Sequence, residues 1–183
     1  SFTFRRIYKT SLMIFIRPAT IMDAELLATI APVTHMESHG HSAKPEHHEI
    51  YIAKKLSVEA FTNELADPAN LYHIIFVDEI AAGYSKIILN FNHPLISEQP
   101  VTKLERIYLL KSYYGIDAGK KLFDHNVSLS KEHQQLGIWL HVWKENHRAF
   151  AFYQKQGFKI IGSYDFEVSP THFNPNHVMY LEY

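Results

Sequence analysis

A strand, a glycine-containing turn and a helix follow one another within residues 105–120, and this junction sets where a sheet and a helix must meet. Amide groups at the start of a helix have no partner within it and carry partial positive charge, so such a junction suits pyrophosphate binding. Gly115 and Gly119 lack a Cβ atom and let phosphate groups approach the backbone. The same pattern also occurs where glycine serves only the geometry of a turn, so alone it leaves both interpretations open.

Length and composition narrow the function classes. The 183 residues fit one domain with a substantial core, since 46% are hydrophobic and 14% aromatic. The formal net charge is −1 without a long basic tract, so nucleic acid is not an expected partner. No apolar run approaches the ~20 residues that cross a bilayer, so no membrane partner is expected. The absence of cysteine excludes disulfides, thiolate zinc sites and a cysteine nucleophile, and it fits a cytoplasmic location.

The spacing of apolar residues predicts elements in the order β-α-α-α-β-β-β-α-β-α-β-β. Strands are expected at residues 13–17, 71–77, 80–90, 101–110, 137–143, 158–168 and 177–183. Helices are expected at residues 21–31, 46–56, 57–66, from 117 and at 145–156, with a loop at 34–45. This order predicts an α/β (α+β) fold with helices on both faces of a mixed sheet. Residues 1–12 are expected to be an N-terminal extension without a secretion signal, and residues 13–183 one domain.

The second half of the chain carries a more specific pattern. The strand at 137–143 is followed by Asn146, Ala149, Phe152-Tyr153 and Gly157-Phe158. Together with the glycine turn, these segments resemble the GNAT superfamily of acetyl-CoA-dependent N-acetyltransferases over residues 13–183. The resemblance implies a twisted, mostly antiparallel sheet of about seven strands. Within the superfamily, shorter segments such as Gly40-His41-Ser42 and residues 104–108 are most similar to bacterial spermidine/spermine N-acetyltransferases.

The resemblance implies acetyl-CoA as co-substrate and assigns residues to it. The strand around Ile107, Tyr108 and Leu109 would offer backbone groups to pantetheine, with the Leu109 amide directed at the thioester carbonyl. Backbone N–H groups near the helix start would hold the pyrophosphate, and these belong to Tyr114, Gly115, Ile116, Asp117, Ala118, Gly119 and Lys120. Further cofactor contacts are expected from Asn146 and Tyr153, and Lys155 could reach a cofactor phosphate, although helical spacing puts it off the face of those two residues.

The turn departs from the family pattern at three positions. Ser112 stands where Gln or Arg is usual, Tyr114 where a basic or amide residue is common, and Asp117 where a second glycine is usual. The Asp117 carboxylate suits the helix dipole, yet it repels pyrophosphate unless it points away. Acetyl-CoA affinity is therefore expected to be weaker than is typical of the family.

Acetyl transfer to an amine requires a neutral amine, a stabilised oxyanion and a protonated leaving thiolate. Tyr153 is the candidate general acid, because its phenol is protonated at neutral pH and helical spacing places it on the face of Asn146. An aromatic side chain that only packs on the sheet stays open for Tyr153. Glu105 is the candidate general base, directly or through water, and alternation along the strand predicts that it shares a face with Ile107 and Leu109. Attraction of a cationic amine and an ordinary ion pair stay open for Glu105.

The segment from His35 to His48 is rich in histidine, but the spacing matches no standard zinc motif and no metal is expected. The resemblance places the acceptor beside this segment and assigns Glu37 and His41 to the substrate. Glu46 and Glu49 could also present carboxylates to the ammonium groups of a polyamine.

The predicted function is therefore acetyl transfer to a primary amine of a small molecule, such as a polyamine. Direct attack in a ternary complex is expected, because no cysteine is available for an acyl-enzyme. An amino acid, an aminoglycoside or a protein N-terminus stays open as acceptor, as does a non-catalytic coenzyme A-binding module. A homodimer that pairs the C-terminal strand across subunits also stays open.

Overall fold

The computed structural model describes residues 11–183, which form seven β-strands and five α-helices in the order expected from the sequence. The strands are β1 (Ile14–Pro18), β2 (Asn70–Val77), β3 (Ile80–Ile88), β4 (Thr102–Leu109), β5 (Gly137–Trp143), β6 (Lys159–Ser169) and β7 (His172–Glu182). The helices are α1 (Ala24–His39), α2 (Pro45–Lys55), α3 (Val58–Ala66), α4 (Ala118–Glu132) and α5 (His147–Lys155). The expected N-terminal extension, residues 1–12, lies almost wholly outside the described part of the chain.

The strands join one sheet in the order β1-β2-β3-β4-β5-β7-β6. Every neighbouring pair runs antiparallel except β4 and β5, which run parallel. The expectation of an α/β (α+β) fold built on a mixed, mostly antiparallel sheet is therefore confirmed.

Helices cover both faces of the sheet. On one face α1 and α3 bury Leu27 and Phe61 against Tyr84, and α2 packs against β6. On the other face α4 and α5 enclose a second apolar cluster that includes Phe123 and Ile138. Burial of a Leu or Phe side chain of this kind contributes about 1.5–3 kcal/mol, so the two clusters hold the layers together. Among the described residues, none of the helices combines the length and the apolar character needed to cross a bilayer.

The first long helix continues beyond the point where the sequence predicted a loop. α1 runs through Pro32 to His39, so the expected loop at 34–45 shrinks to residues 40–44. Pro32 removes one helical hydrogen bond. Ala31 and Thr34 on either side of it are buried against the sheet, and this packing maintains the helix despite the loss.

The last strand begins earlier than expected and lies inside the sheet. β7 starts at His172 and includes Pro175, which stands opposite Asp165 of β6. Pairing with β5 ends at Asn176, so the missing N–H of Pro175 leaves that ladder intact. Because β5 and β6 occupy both edges of β7, this strand has no free edge for pairing across a homodimer, and the homodimer itself stays a prediction.

Candidate active site

β4 and β5 lie side by side over a short distance and then separate. Thr102 pairs with Ile138 and Lys103 with Trp139, and within the described residues no further pair follows along the two strands. The separation opens a cavity of about 950 Å³. A cavity of this size accommodates a small ligand together with part of a larger one.

The main chain of β4 is exposed to this gap. The N–H of Leu110 donates to the carbonyl of Ala82 on β3 at 2.8 Å. Successive residues of a strand direct their main-chain groups to opposite sides, so those of Ile107 and Leu109 face away from β3. The gap is therefore lined by N–H and C=O groups that are available to a ligand.

The glycine turn forms one end of the cavity. Gly115 has a φ of +82° and Asp117, directly before α4, has a φ of +67°, so both adopt the left-handed conformation. A Cβ atom added at Gly115 or Gly119 would meet no other atom within 4 Å. Open space therefore lies in front of the backbone at the start of α4, where N–H groups and the helix dipole favour an anion.

The start of α5 forms the opposite wall. Asn146 caps this helix, because its Oδ1 accepts a hydrogen bond from the N–H of Ala149 at 3.2 Å. The helix thus begins after Asn146, slightly later than the sequence predicted. The guanidinium carbon of Arg148 lies 3.5 Å from the centre of the Tyr114 ring, which brings a positive charge to the glycine turn.

Tyr153 lies on α5, is buried and lines the cavity. Its ring packs against Phe158, with 5.3 Å between the ring centres. Burial raises the pKa of the Tyr153 phenol above its usual value. The hydroxyl group therefore keeps its proton at neutral pH and can donate it.

Glu105 is the extra residue of a β-bulge. Lys86 of β3 pairs with Arg106, whereas Ile87 pairs with Leu104, so Glu105 has no residue opposite. The bulge interrupts the alternation of side chains along β4.

This interruption moves the Glu105 side chain to the face covered by α1 and α3. Its carboxylate contacts Lys86, which also forms an ion pair with Glu64 of α3 at 2.5 Å. Ile107, by contrast, packs into the clusters beneath α4. The expectation that Glu105 shares a face with Ile107 and Leu109 is therefore wrong.

The surroundings of Glu105 keep it charged. Lys86 is 4% exposed, and Lys103 Nζ lies 3.6 Å from Glu105 Oε1. Burial alone would raise the pKa of the Glu105 carboxyl, but Lys86, Lys103 and Arg106 outweigh burial and hold the pKa below its usual value. Glu105 is therefore ionised at neutral pH and makes an ion pair, one of the interpretations that the sequence left open.

A protein family described as the acetyltransferase (GNAT) family matches residues 34–158, more than half of the chain. The chain belongs to this family. The sequence-based prediction of an N-acetyltransferase, which is an acyltransferase, is thereby confirmed.

Relatives of the GNAT-family chain agree with this assignment. An uncharacterised N-acetyltransferase of Mycobacterium tuberculosis is 30% identical over 160 residues, which cover 87% of this chain and 97% of that protein. A spermidine N(1)-acetyltransferase of Thermoplasma acidophilum is 28% identical over 145 residues, or 79% of this chain and 88% of that protein. The crystal structure of the PaiA N-acetyltransferase from Thermoplasma acidophilum with coenzyme A superposes on this structure with a TM-score of 0.75 at 24% identity. The superposition covers 93% of this chain and 99% of that chain, so the two proteins share a fold.

The cavity of the GNAT-family chain brings together most of the residues that the sequence predicted. Those that line it are Glu37, Glu105, Ile107, Tyr108, Leu109, Tyr114, Gly115, Asp117, Ala118, Gly119, Lys120, Asn146 and Tyr153. Glu37 Oε1 accepts a hydrogen bond from the N–H of Lys111 at 3.2 Å and so links α1 to the segment before the glycine turn. The ammonium group of Lys120 is held by Asp124 at 2.6 Å.

Three predicted residues lie outside the cavity lining. The side chain of Ile116 packs into the core beneath α4. Lys155 is exposed at the end of α5. His41 is exposed, with its ring centre 5.0 Å from that of Trp143.

The histidines near α1 and α2 contact one another and nearby aromatic rings. His35 Nε2 and His48 Nδ1 lie 2.9 Å apart, and His39 lies beside Trp143. Within residues 11–183 no group of three or more His, Cys, Asp or Glu side chains is arranged to hold a metal ion. Burial, with the neighbouring histidines, lowers the pKa of His35 to about 3 and that of His39 to about 4, so both rings are neutral at neutral pH.

The sequence prediction missed Lys86, Arg106 and Arg148 of this site. Lys86 interrupts a strand that is otherwise largely apolar, and such a charge in a buried strand is a usable signal. Arg106 stands out less, because β4 also contains Lys103 and Glu105. Arg148 gave no comparable signal, because a charged residue in the first turn of a short helix is ordinary.

Proposed function

We propose that the protein transfers the acetyl group of acetyl-CoA to a primary amine of a small molecule, by direct attack in a ternary complex. The observation that carries the proposal is the separation of β4 and β5, which connects the glycine turn to Glu105 and Tyr153 through one cavity. The open space in front of Gly115 and Gly119 fits the diphosphate of the coenzyme.

In this proposal, the main chain contributes most of the coenzyme contacts. The N–H groups from Gly115 to Lys120 bind the diphosphate, and Arg148 adds a positive charge beside them. Ile107 and Leu109 present main-chain groups to the pantetheine arm, while the Asn146 side chain lines the facing wall.

Acetyl-CoA supplies the activated acyl group, and residues of the chain handle charge and protons. The N–H of Leu109 stabilises the negative charge that develops on the carbonyl oxygen. The amine nitrogen forms a bond to the carbonyl carbon as the carbon–sulfur bond breaks. Glu105 takes up the proton lost by the amine, through water, and Tyr153 gives its proton to the sulfur.

A polyamine is one small primary amine that the similarity to a spermidine N(1)-acetyltransferase suggests as acceptor. Glu37 and Glu167 line the cavity and supply negative charge that suits an ammonium group. We also propose a cytoplasmic location, where acetyl-CoA is available.

Two measurements test the proposed function. Calorimetry with acetyl-CoA should detect binding to the wild-type chain, and the affinity should fall in an Arg148→Ala variant. Acetylation of a panel of polyamines, amino acids and aminoglycosides should then show turnover with at least one class of small primary amine. Binding without turnover on any amine would favour a coenzyme A-binding module, and no binding at all would overturn the proposal.

A further inference from the structure

The acceptor chamber is the part of the cavity lined by Tyr51, Glu64, Glu105, Arg106 and Tyr108. It lies between β4 and the helices α2 and α3, on the side of the sheet to which the bulge turns Glu105.

The charges around this chamber are unequal. Glu64 and Glu105 both contact Lys86, and Glu105 is also near Lys103. Arg106 forms no ion pair within 4 Å among the described residues. The five side chains of Glu64, Glu105, Lys86, Lys103 and Arg106 carry two negative and three positive charges, and Arg106 is the one among them without an ion-pair partner.

Arg106 also has an unused donor. Its Nη1 is buried and has no hydrogen-bond partner among the described residues. The guanidinium carbon lies 5.8 Å from the centre of the Phe61 ring, which fixes one side of the group. Glu105 acts on Arg106 from beyond ion-pair distance, so the buried Nη1 is left without a partner within residues 11–183, although buried charged groups are usually paired.

We propose that the acceptor carries a carboxylate, which pairs with Arg106 while its amine lies beside Glu105. This inference rests on the proposed function and names the class of acceptor as an amino acid or a similar small aminocarboxylate. The planar guanidinium matches the two oxygens of a carboxylate. Because Glu105 and Arg106 are consecutive across the bulge, the two groups of the acceptor are recognised on one side of β4.

The same charges disfavour a polyamine. A second ammonium group in the chamber would face Arg106 in a largely desolvated space, where like charges repel more strongly than in water. A carboxylate at the same place replaces this repulsion with attraction.

Matched pairs of amines test the inference on the wild-type enzyme. Lysine and 1,5-diaminopentane differ only in the carboxylate, as do ornithine and 1,4-diaminobutane. We expect kcat/KM for acetylation to be roughly tenfold or more higher for the amino acid of each pair, because the diamine lacks the carboxylate and leaves Arg106 unpaired. Equal values, or higher values for the diamines, would overturn the inference and leave the acetyltransferase proposal standing.

Variants assign the preference to Arg106. Arg106→Met should remove the advantage of the amino acid, and Arg106→Lys should reduce it. Lys54→Met removes one positive charge from an exposed site on α2 and should preserve the advantage. Thermal unfolding and acetyl-CoA calorimetry identify the variants that remain folded. A folded Arg106→Met enzyme that keeps the full preference would also overturn the inference, whereas a wild-type chain that acetylates no amine would overturn the proposed function itself.

Discussion

Asp117 combines two properties that oppose each other at the start of α4. Its φ of +67° lies in the left-handed region, which favours glycine and which aspartate tolerates better than most residues. Its side chain makes no capping hydrogen bond, and it lines the cavity next to the glycine turn. A carboxylate here is favourable for the helix dipole of the free protein but unfavourable for a bound diphosphate.

We therefore expect Asp117→Asn and Asp117→Gly to bind acetyl-CoA more tightly, by roughly three- to tenfold at low salt, because both remove the repulsion. Calorimetry at two salt concentrations measures the effect, which should shrink at high salt. Gln134→Gly is a matched control, because Gln134 also has a positive φ, of 54°, but lies beyond the far end of α4. Unchanged affinity in both Asp117 variants would show that this carboxylate does not face the coenzyme.

Glu105 and Glu64 provide a second comparison, because both contact the buried Lys86. Only Glu105 lies on the bulge beside the gap. We expect Glu105→Gln to lower kcat by roughly 100-fold or more with acetyl-CoA affinity unchanged, since it removes the proposed proton acceptor. Glu64→Gln should lower the stability about as much as Glu105→Gln does, because each variant weakens one contact of Lys86. Its effect on kcat should be much smaller. Equal losses of kcat in the two variants would assign Glu105 a purely structural ion pair.

In the first turn of α4, one glycine lowers the stability of the helix and leaves the space proposed for the coenzyme. Gly119 is helical, and a Cβ there would meet no atom of the chain within 4 Å. Alanine favours a helix over glycine, so Gly119→Ala should stabilise the free protein by about 0.5 kcal/mol. The added methyl group would enter the space proposed for the diphosphate, so acetyl-CoA affinity should fall by roughly tenfold.

Thermal unfolding without ligand and calorimetry with acetyl-CoA measure these two effects separately. Ser128→Ala is the control, because Ser128 is an exposed residue of the same helix at a distance from the turn. It should raise the stability and leave the affinity unchanged. If Gly119→Ala also left the affinity unchanged, the diphosphate would have to bind elsewhere.

The sequence predicted the elements whose signals are local and missed the features that depend on neighbouring strands. The order of strands and helices and the turn at Gly115 follow from periodicity and from glycine. The bulge at Glu105 could not be predicted, because alternation along β4 assumes an unbroken register with β3. Likewise, continuation of α1 through Pro32 and the internal position of β7 depend on packing across the sheet.

At the scale of the whole molecule, several imidazoles are buried where only the neutral form is favourable. Burial lowers the pKa of His35 to about 3, and burial together with His125 lowers that of His73 to about 4. His35 lies near α2, whereas His73 packs against His125 of α4 with 4.6 Å between ring centres. Both faces of the sheet therefore contain a histidine that resists protonation.

These groups make the folded state sensitive to acid. An unfolded histidine has a pKa of about 6.5, so from about pH 6.5 to pH 4 the unfolded chain binds more protons than the folded chain. The free energy of unfolding must then fall as the pH is lowered through this window. The part of this loss that comes from His73 is complete at about pH 4. In His73→Leu we expect the free energy of unfolding to fall by roughly 3 kcal/mol less than in the wild-type chain, which is the equivalent of the pKa shift of His73. Denaturant unfolding at intervals from pH 7.5 to pH 4 measures it, with His133→Asn, an exposed site, as control. If His73→Leu and the wild-type chain lost stability in parallel, His73 would have to be protonated in the fold, and its packing against His125 could not be the source of the acid sensitivity.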